Sequence, residues 1–141
     1  MSALEEGIAR HRAVLAEGRH LLSGLAMRDV EVAGADLAVE VDVDETLTGP
    51  RGALQGGLLA TLADIVAGRI AMQGSAEGEL VVTSDLTVHY LAPVLTVAHA
   101  VGRVLKRGKR SVTIRVDVFD GRDGRLAAAC TLAFMVVRVD G

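Results

Sequence analysis

Apolar residues recur along this chain with two different periods. Residues 3–23 carry Leu4, Ile8, Val14, Leu15, Leu21 and Leu22 among Glu, Arg and His, a spacing that predicts a first amphipathic helix. The period then shortens to two. A strand pair is expected at roughly 25–33 and 36–43, turning at Gly34-Ala35; in its second half Leu37, Val39, Val41 and Val43 alternate with Ala38, Glu40 and Asp42. "TLTGPRG" (46–52) reads as a turn-rich loop with Pro50 fixing its backbone. Residues 54–73 then form a helix that is apolar nearly all round and fades at Gly74.

After "GSAEGE" the pattern is all strand. Strand 80–91 sets Leu80, Val82, Leu86, Val88 and Tyr90 against Thr83, Asp85, Thr87 and His89, and Pro93 ends or bends it. Strand 97–106 alternates weakly. Strand 111–119 alternates cleanly, with Val112, Ile114, Val116 and Val118 against Ser111, Thr113, Arg115 and Asp117. Arg115 and Asp117 read as cross-strand charge pairs. Gly121-Arg122-Asp123-Gly124 turns into a last strand, 125–138, where Cys130 shares the inward register with Leu126, Leu132 and Phe134. Short turns imply antiparallel neighbours, and a curved sheet with one apolar face needs a cover. The 54–73 helix is the only segment apolar enough to provide it. The expected fold is α+β: an antiparallel sheet wrapped around a central helix, in one domain over 1–141, with residues 1–23 as an extra N-terminal helix.

Composition narrows the picture. Of 141 residues half are apolar, yet only Tyr90, Phe119 and Phe134 are aromatic, so the core rests on Leu, Val, Ile and Ala. A net charge of −3 with mixed signs argues against nucleic acid as partner. One cysteine and four scattered histidines give neither a disulfide framework nor a zinc spacing, so no metal or cofactor is expected. The N-terminal stretch lacks an apolar signal core. Leu58–Met72, the longest apolar run, is broken by Asp64 and Arg69 and is too short for a bilayer. The expectation is a soluble cytoplasmic protein without a membrane partner.

Within the central helix Asp64 stands out. Gly57, Ala60, Thr61, Asp64, Ala67, Gly68 and Ala71 share one stripe, and every neighbour of the acid on it is small. The bulky Leu58, Leu62, Ile65, Val66 and Met72 are expected to face the sheet. An isolated carboxylate on such a helix needs a partner, water or a task; a close-packing face for another helix or subunit is the plainer reading. Gln55-Gly56-Gly57 opens the helix, where free N–H groups attract developing negative charge and glycine admits a ligand to the backbone. A thioester oxygen could accept from the Gly56 or Gly57 amide while a carboxylate supplies base or nucleophile chemistry. Amide and acid lie about two turns, roughly 10 Å, apart along the helix, too far for one carbonyl. If both act, they come from different subunits or the ligand lies along a groove between them.

"GALQGGLLATLADIVAG", "VVTSDLTVHYLAPV" and "RGKRSVTIRVDVFDGRDGRLAAACTLAFMV" together resemble the hotdog-fold acyl-CoA thioesterases, in the branch typified by phenylacetyl-CoA thioesterase, over about residues 44–138. The resemblance implies a hotdog fold, a homodimer that joins two sheets, often a dimer of dimers (a homotetramer), and active sites at the dimer interface. It implies hydrolysis of acyl-CoA with Asp64 as general base or nucleophile, the Gly56 or Gly57 amide as oxyanion donor, and Thr83 orienting the acid or the attacking water. Gln55 stands where the family usually has His, and Gly49 where it usually has Asn or Gln; Gln55 can still donate a hydrogen bond near the thioester. A non-catalytic acyl-CoA binding or sensing protein is the alternative. A dehydratase would pair a His with an acid, and no His lies near this helix start.

Lys106, Arg107, Lys109 and Arg110 flank Gly108 in a predicted hairpin turn. They read either as a solvated turn or as a clamp for the phosphates of coenzyme A. His89 and Asp85 share a polar strand face without a catalytic assignment.

Overall fold

Each apolar period resolves into its own kind of element. A computed structural model describes residues 2–139. It gives α1 (Ala3–Ala16), a short 3-10 turn (Leu21–Gly24), β1 (Met27–Val30), β2 (Leu37–Asp42), α2 (Gly56–Gln73), β3 (Glu79–Tyr90), β4 (Val97–Arg107), β5 (Ser111–Asp120) and β6 (Arg125–Arg138). The strands form one antiparallel sheet in the order β1-β2-β4-β5-β6-β3, with α2 packed on one face. The α+β expectation therefore holds, and β3 is an edge strand.

The first helix is shorter than its periodicity suggested. Ser2 and Glu5 form a reciprocal capping box at its start. At its end Gly18 adopts φ 67°, and the Arg19 and Gly18 amides turn back to the Val14 and Leu15 carbonyls. Glycine tolerates this left-handed stop, so the chain leaves the helix despite the apolar residues beyond. No residue of α1 is buried; the core owes nothing to it.

The core lies between α2 and the sheet. Leu59, Leu62, Ala63, Val66, Ala67, Ile70 and Ala71 are buried, against Val39, Val41, Val112, Ile114, Val116, Val118, Cys130, Leu132 and Phe134. This corrects the expected split of the helix. Ala67 and Ala71 belong to the buried face, Leu58 and Ile65 are only partly covered, and Met72 is 41% exposed. The helix also approaches the sheet closely. A Cβ at Gly102 on β4 would lie 2.5 Å from Ile70 Cδ1 and 3.0 Å from Val66 Cγ1, so only glycine lets the helix settle this near the strand.

Three bulges shift the strand faces, one of them at Leu105 of β4, where Val104 pairs with Ile114 but Lys106 with Thr113. In β3, Thr83 pairs with Phe134 but Asp85 with Ala133, leaving Ser84 as the extra residue with its hydroxyl on the Ala133 carbonyl. Val81 and Thr83 therefore face α2 before the bulge, and Leu86, Val88 and Tyr90 after it, correcting the single alternation expected. In β6, Val118 pairs with Ala128 but Phe119 with Leu126. Ala127 is the extra residue, and Leu126 turns to the outer face rather than inward with Cys130.

Polar side chains fasten the edges. Arg69 of α2 makes a two-pronged pair with Asp29 of β1, at 2.8 and 2.7 Å, which holds that carboxyl below its usual range. Arg115 bonds Asp117 along its own strand at 3.0 Å, and the cross-strand partner is Arg103 at 3.5 Å. Asp120, 5% exposed, accepts from the Leu95 amide at 2.9 Å, the Thr96 hydroxyl at 2.5 Å and the Arg122 amide at 3.1 Å. Burial disfavours its charge, but these bonds and one from the Val97 amide prevail and lower its pKa. Nothing in the sequence pattern singled it out.

Candidate active site

Asp64 sits halfway along α2 at the margin of the buried face, partly covered. The bulged β3 brings Thr83 to it, and the Thr83 hydroxyl donates to Asp64 Oδ1 at 2.8 Å. Among the described residues Oδ2 has no hydrogen-bond partner, so one oxygen is anchored and the other presented outward. Two of the residues picked from sequence thus meet as a pair.

The helix start is built with similar economy. Gln55 is the N-cap: its Oε1 accepts from the Leu58 amide at 3.1 Å, leaving its Nε2 as a donor. Gln55 itself is tied by its amide to the Leu47 carbonyl at 2.9 Å. The Gly56 and Gly57 amides have no acceptor among the described residues, as the first turn of a helix requires. Tyr90 closes the arrangement from β3, donating its hydroxyl to the Gly56 carbonyl at 2.6 Å. A Cβ at Gly56 would meet the Tyr90 ring at 3.4 Å, and one at Gly57 would press on Gln55 Oε1 at 3.0 Å. Tyr90 was read from sequence as an apolar-face residue only; its polar tip is what the pattern did not register.

At the far end of α2 lies a cleft of about 600 Å³ lined by Ser75, Glu79, Arg107, Lys109, Arg110 and Arg138. Arg107 also caps the helix, donating to the Ile70 and Ala71 carbonyls at 3.2 and 3.1 Å and filling the space over Gly74. Lys106 does not join them. It pairs with Thr113, one residue out of step with the inward Arg107–Val112 pair, and is exposed on the opposite face. Arg138, from the end of β6, takes its place in the cluster. At 1.5 Å per residue the cleft begins about 15 Å beyond Asp64 along the helix.

Other candidate groups fall away. Cys130 is 1% exposed, and burial, with the Asp117 charge, pushes its thiol up to about 11. His89 and Asp85 are exposed on the outer face, away from Asp64. No group of three or more potential metal ligands occurs among the described residues, and no described helix is long and apolar enough to cross a membrane.

The chain is similar to known proteins in sequence and in fold. The thioesterase superfamily profile matches residues 51–127. Acyl-coenzyme A thioesterase 13 from Mus musculus is 31% identical over 105 residues, covering 70% of this chain and 71% of that protein. A thioesterase from Haemophilus influenzae superposes with a TM-score of 0.80 at 19% identity, over 93% of this chain and 92% of the other. A Bacillus halodurans protein solved with CoA superposes at 0.75 with 25% identity, over 97% of this chain and 93% of that one.

Proposed function

The chain belongs to the thioesterase superfamily and has its hotdog fold, and from that premise we propose that it hydrolyses an acyl-CoA thioester to the free acid and CoA at a site completed across a homodimer interface. The Thr83–Asp64 hydrogen bond carries this reading: it fixes a carboxylate on the same face as the amide-bearing helix start, at the free edge of the sheet. Asp64 takes a proton from water as that water adds to the thioester carbonyl, or adds to the carbonyl itself to form a mixed anhydride that water then hydrolyses, releasing the free acid and restoring the carboxylate. The oxyanion is held by the Gly56 or Gly57 amide, the C–S bond breaks, and the CoA thiolate leaves and is protonated. Because amide and acid of one protomer are too far apart for one carbonyl, each site takes its amides from one subunit and its acid from the other. Gln55 Nε2 lies beside the amides as an additional donor. Arg107, Lys109 and Arg110, joined by Arg138, bind the CoA phosphates, and the long pantetheine arm spans the interval to the acid. Lys106, turned to the other face, contributes only general charge. Pairing of two such dimers gives the tetramer, and a cytoplasmic location suits the free thiol.

Gly49 and Gln55, at positions where the family usually carries an amide and a histidine, favour a second reading in which acyl-CoA is bound but not turned over. The Asp64→Asn variant separates the two, with free-thiol release measured over acyl-CoAs of graded length and aryl-CoAs. Loss of a general base lowers turnover by roughly 10²–10⁴, and binding and melting temperature should be retained. Equal, negligible hydrolysis by both proteins with intact binding selects the sensing protein. A variant that unfolds or falls to monomer makes Asp64 a structural residue and takes away the main support of its catalytic role.

A further inference from the structure

The hydroxyl of Tyr90 donates to the carbonyl of Gly56 at 2.6 Å, and the N–H of that same peptide group belongs to Gly57. A carbonyl that accepts a hydrogen bond draws electron density from its own amide nitrogen and makes the attached N–H a stronger donor, since hydrogen bonds in a chain polarise one another. The Gly56 carbonyl also faces the helical N–H four residues on, so the tyrosine adds a second donor to it. The geometry points to Tyr90 as a positioning residue that sets the direction and donor strength of the Gly57 N–H. The inference rests on the reading of the Gly57 amide as an oxyanion donor.

Three observations support it independently of one another. The tyrosine lies against the helix start, with Cζ, Cε1 and the hydroxyl oxygen 3.4–3.5 Å from where a Cβ at Gly56 would stand, so ring and hydroxyl together pack on the first turn. Burial, with the Cys130 sulfur behind it, raises the phenol's pKa, so the group stays protonated and a donor through the neutral and mildly alkaline range. The strand delivers Tyr90 inward opposite Ala128, a side chain too small to compete for the same space. A phenylalanine would satisfy ring packing alone. The hydroxyl aimed at a carbonyl in the first turn of α2 serves the peptide group beyond it.

Tyr90 is the chain's only tyrosine, which allows a test at one atom. Tyr90→Phe removes the donor and keeps the ring; growth on 3-fluorotyrosine makes the phenol more acidic and the donor stronger. In the substrate-free protein the Gly57 amide 15N and 1H resonances should move in opposite directions for the two replacements. In hydrolysis, kcat should fall about tenfold for Tyr90→Phe, less than the 10²–10³ seen when an oxyanion donor itself is removed, with KM changed less than twofold. The fluorotyrosine protein should match or exceed the parent below neutral pH. Unchanged Gly57 resonances, or a kcat insensitive to both replacements while Asp64→Asn abolishes turnover, overturn the role of Tyr90 and leave the thioesterase reading standing. Turnover untouched by Asp64→Asn defeats that reading instead, while opposite shifts at Gly57 still support the tyrosine's hold on the helix.

Discussion

Thr83 and Asp64, on the edge strand and the central helix, share one hydrogen bond of 2.8 Å, and that bond leaves the acid's second oxygen unclaimed by the described residues. A hydrogen bond to a charged group contributes about 1.5–3 kcal/mol when its partner is lost. Thr83→Val, which keeps the shape and removes the donor, should lower kcat about tenfold or more while Thr83→Ser stays near the parent. Measured kcat values that rank Val with Ser would show that the hydroxyl does not orient the acid.

The basic cleft divides its residues into separable roles. Lys109→Ser with Arg110→Ser should raise KM for acyl-CoA by about tenfold, the equivalent of one charge-assisted contact, and leave short acyl-pantetheine thioesters nearly unchanged. Arg107→Ser should do the same and also lower the melting temperature, because the Ile70 and Ala71 carbonyls lose their donors. Lys106→Ser is the internal control and should do neither. Equal KM changes for both substrate types would leave only a solvated turn.

Along the twelve residues of β3 one row of backbone groups meets no strand among the described residues, and Val82, Met135 and Val137 are 48%, 53% and 40% exposed on the outer face beside it. Such an edge is a template for pairing. Light scattering at micromolar concentration should give a dimer or a multiple of it. A monodisperse monomer would sink both the pairing and the composite site.

Asp120 gives the fold an acid-sensitive joint. Its folded pKa is depressed, so its contribution is complete above the unfolded value of about 3.9 and is lost as pH falls through the lower folded value. Asp120→Asn replaces one acceptor oxygen with a donor facing other donors. It should cost about 1–3 kcal/mol at pH 7. Urea midpoints for parent and variant should converge as pH is lowered towards 3. A gap that stays constant would mean the charge contributes nothing.

Much of this was legible in the sequence because it follows from period and punctuation. The β5 alternation, the α2 boundary at Gly56 and Gly74, and the hairpin glycines are local signals, and these formed where their residues dictated. The pair Asp64 and Thr83 was picked out through the family resemblance, and in the structure their side chains are hydrogen-bonded. What escaped depends on long-range geometry. Which helix residues are buried depends on how α2 lies on the sheet, where Gly102 of β4 sits under Val66 and Ile70, and Arg107 reaches a helix end that lies 36 residues earlier in the chain. Tyr90 and Asp120 carry polar atoms on faces that a hydrophobic pattern scores only as inside or outside.

The extra residue at Ser84 has a consequence of parity. Thr83 and Tyr90 are an odd number of positions apart, and on an even-stepping strand they would look to opposite sides of the sheet. One inserted residue converts that odd count into a shared outlook, so the partner of the acid and the grip on the helix start meet the same central helix. The site could thus be dismantled with all of its members still present, by excising one serine that touches neither Asp64 nor Gly56. Homologous strands that differ by a single gap here would carry the same letters and a different enzyme.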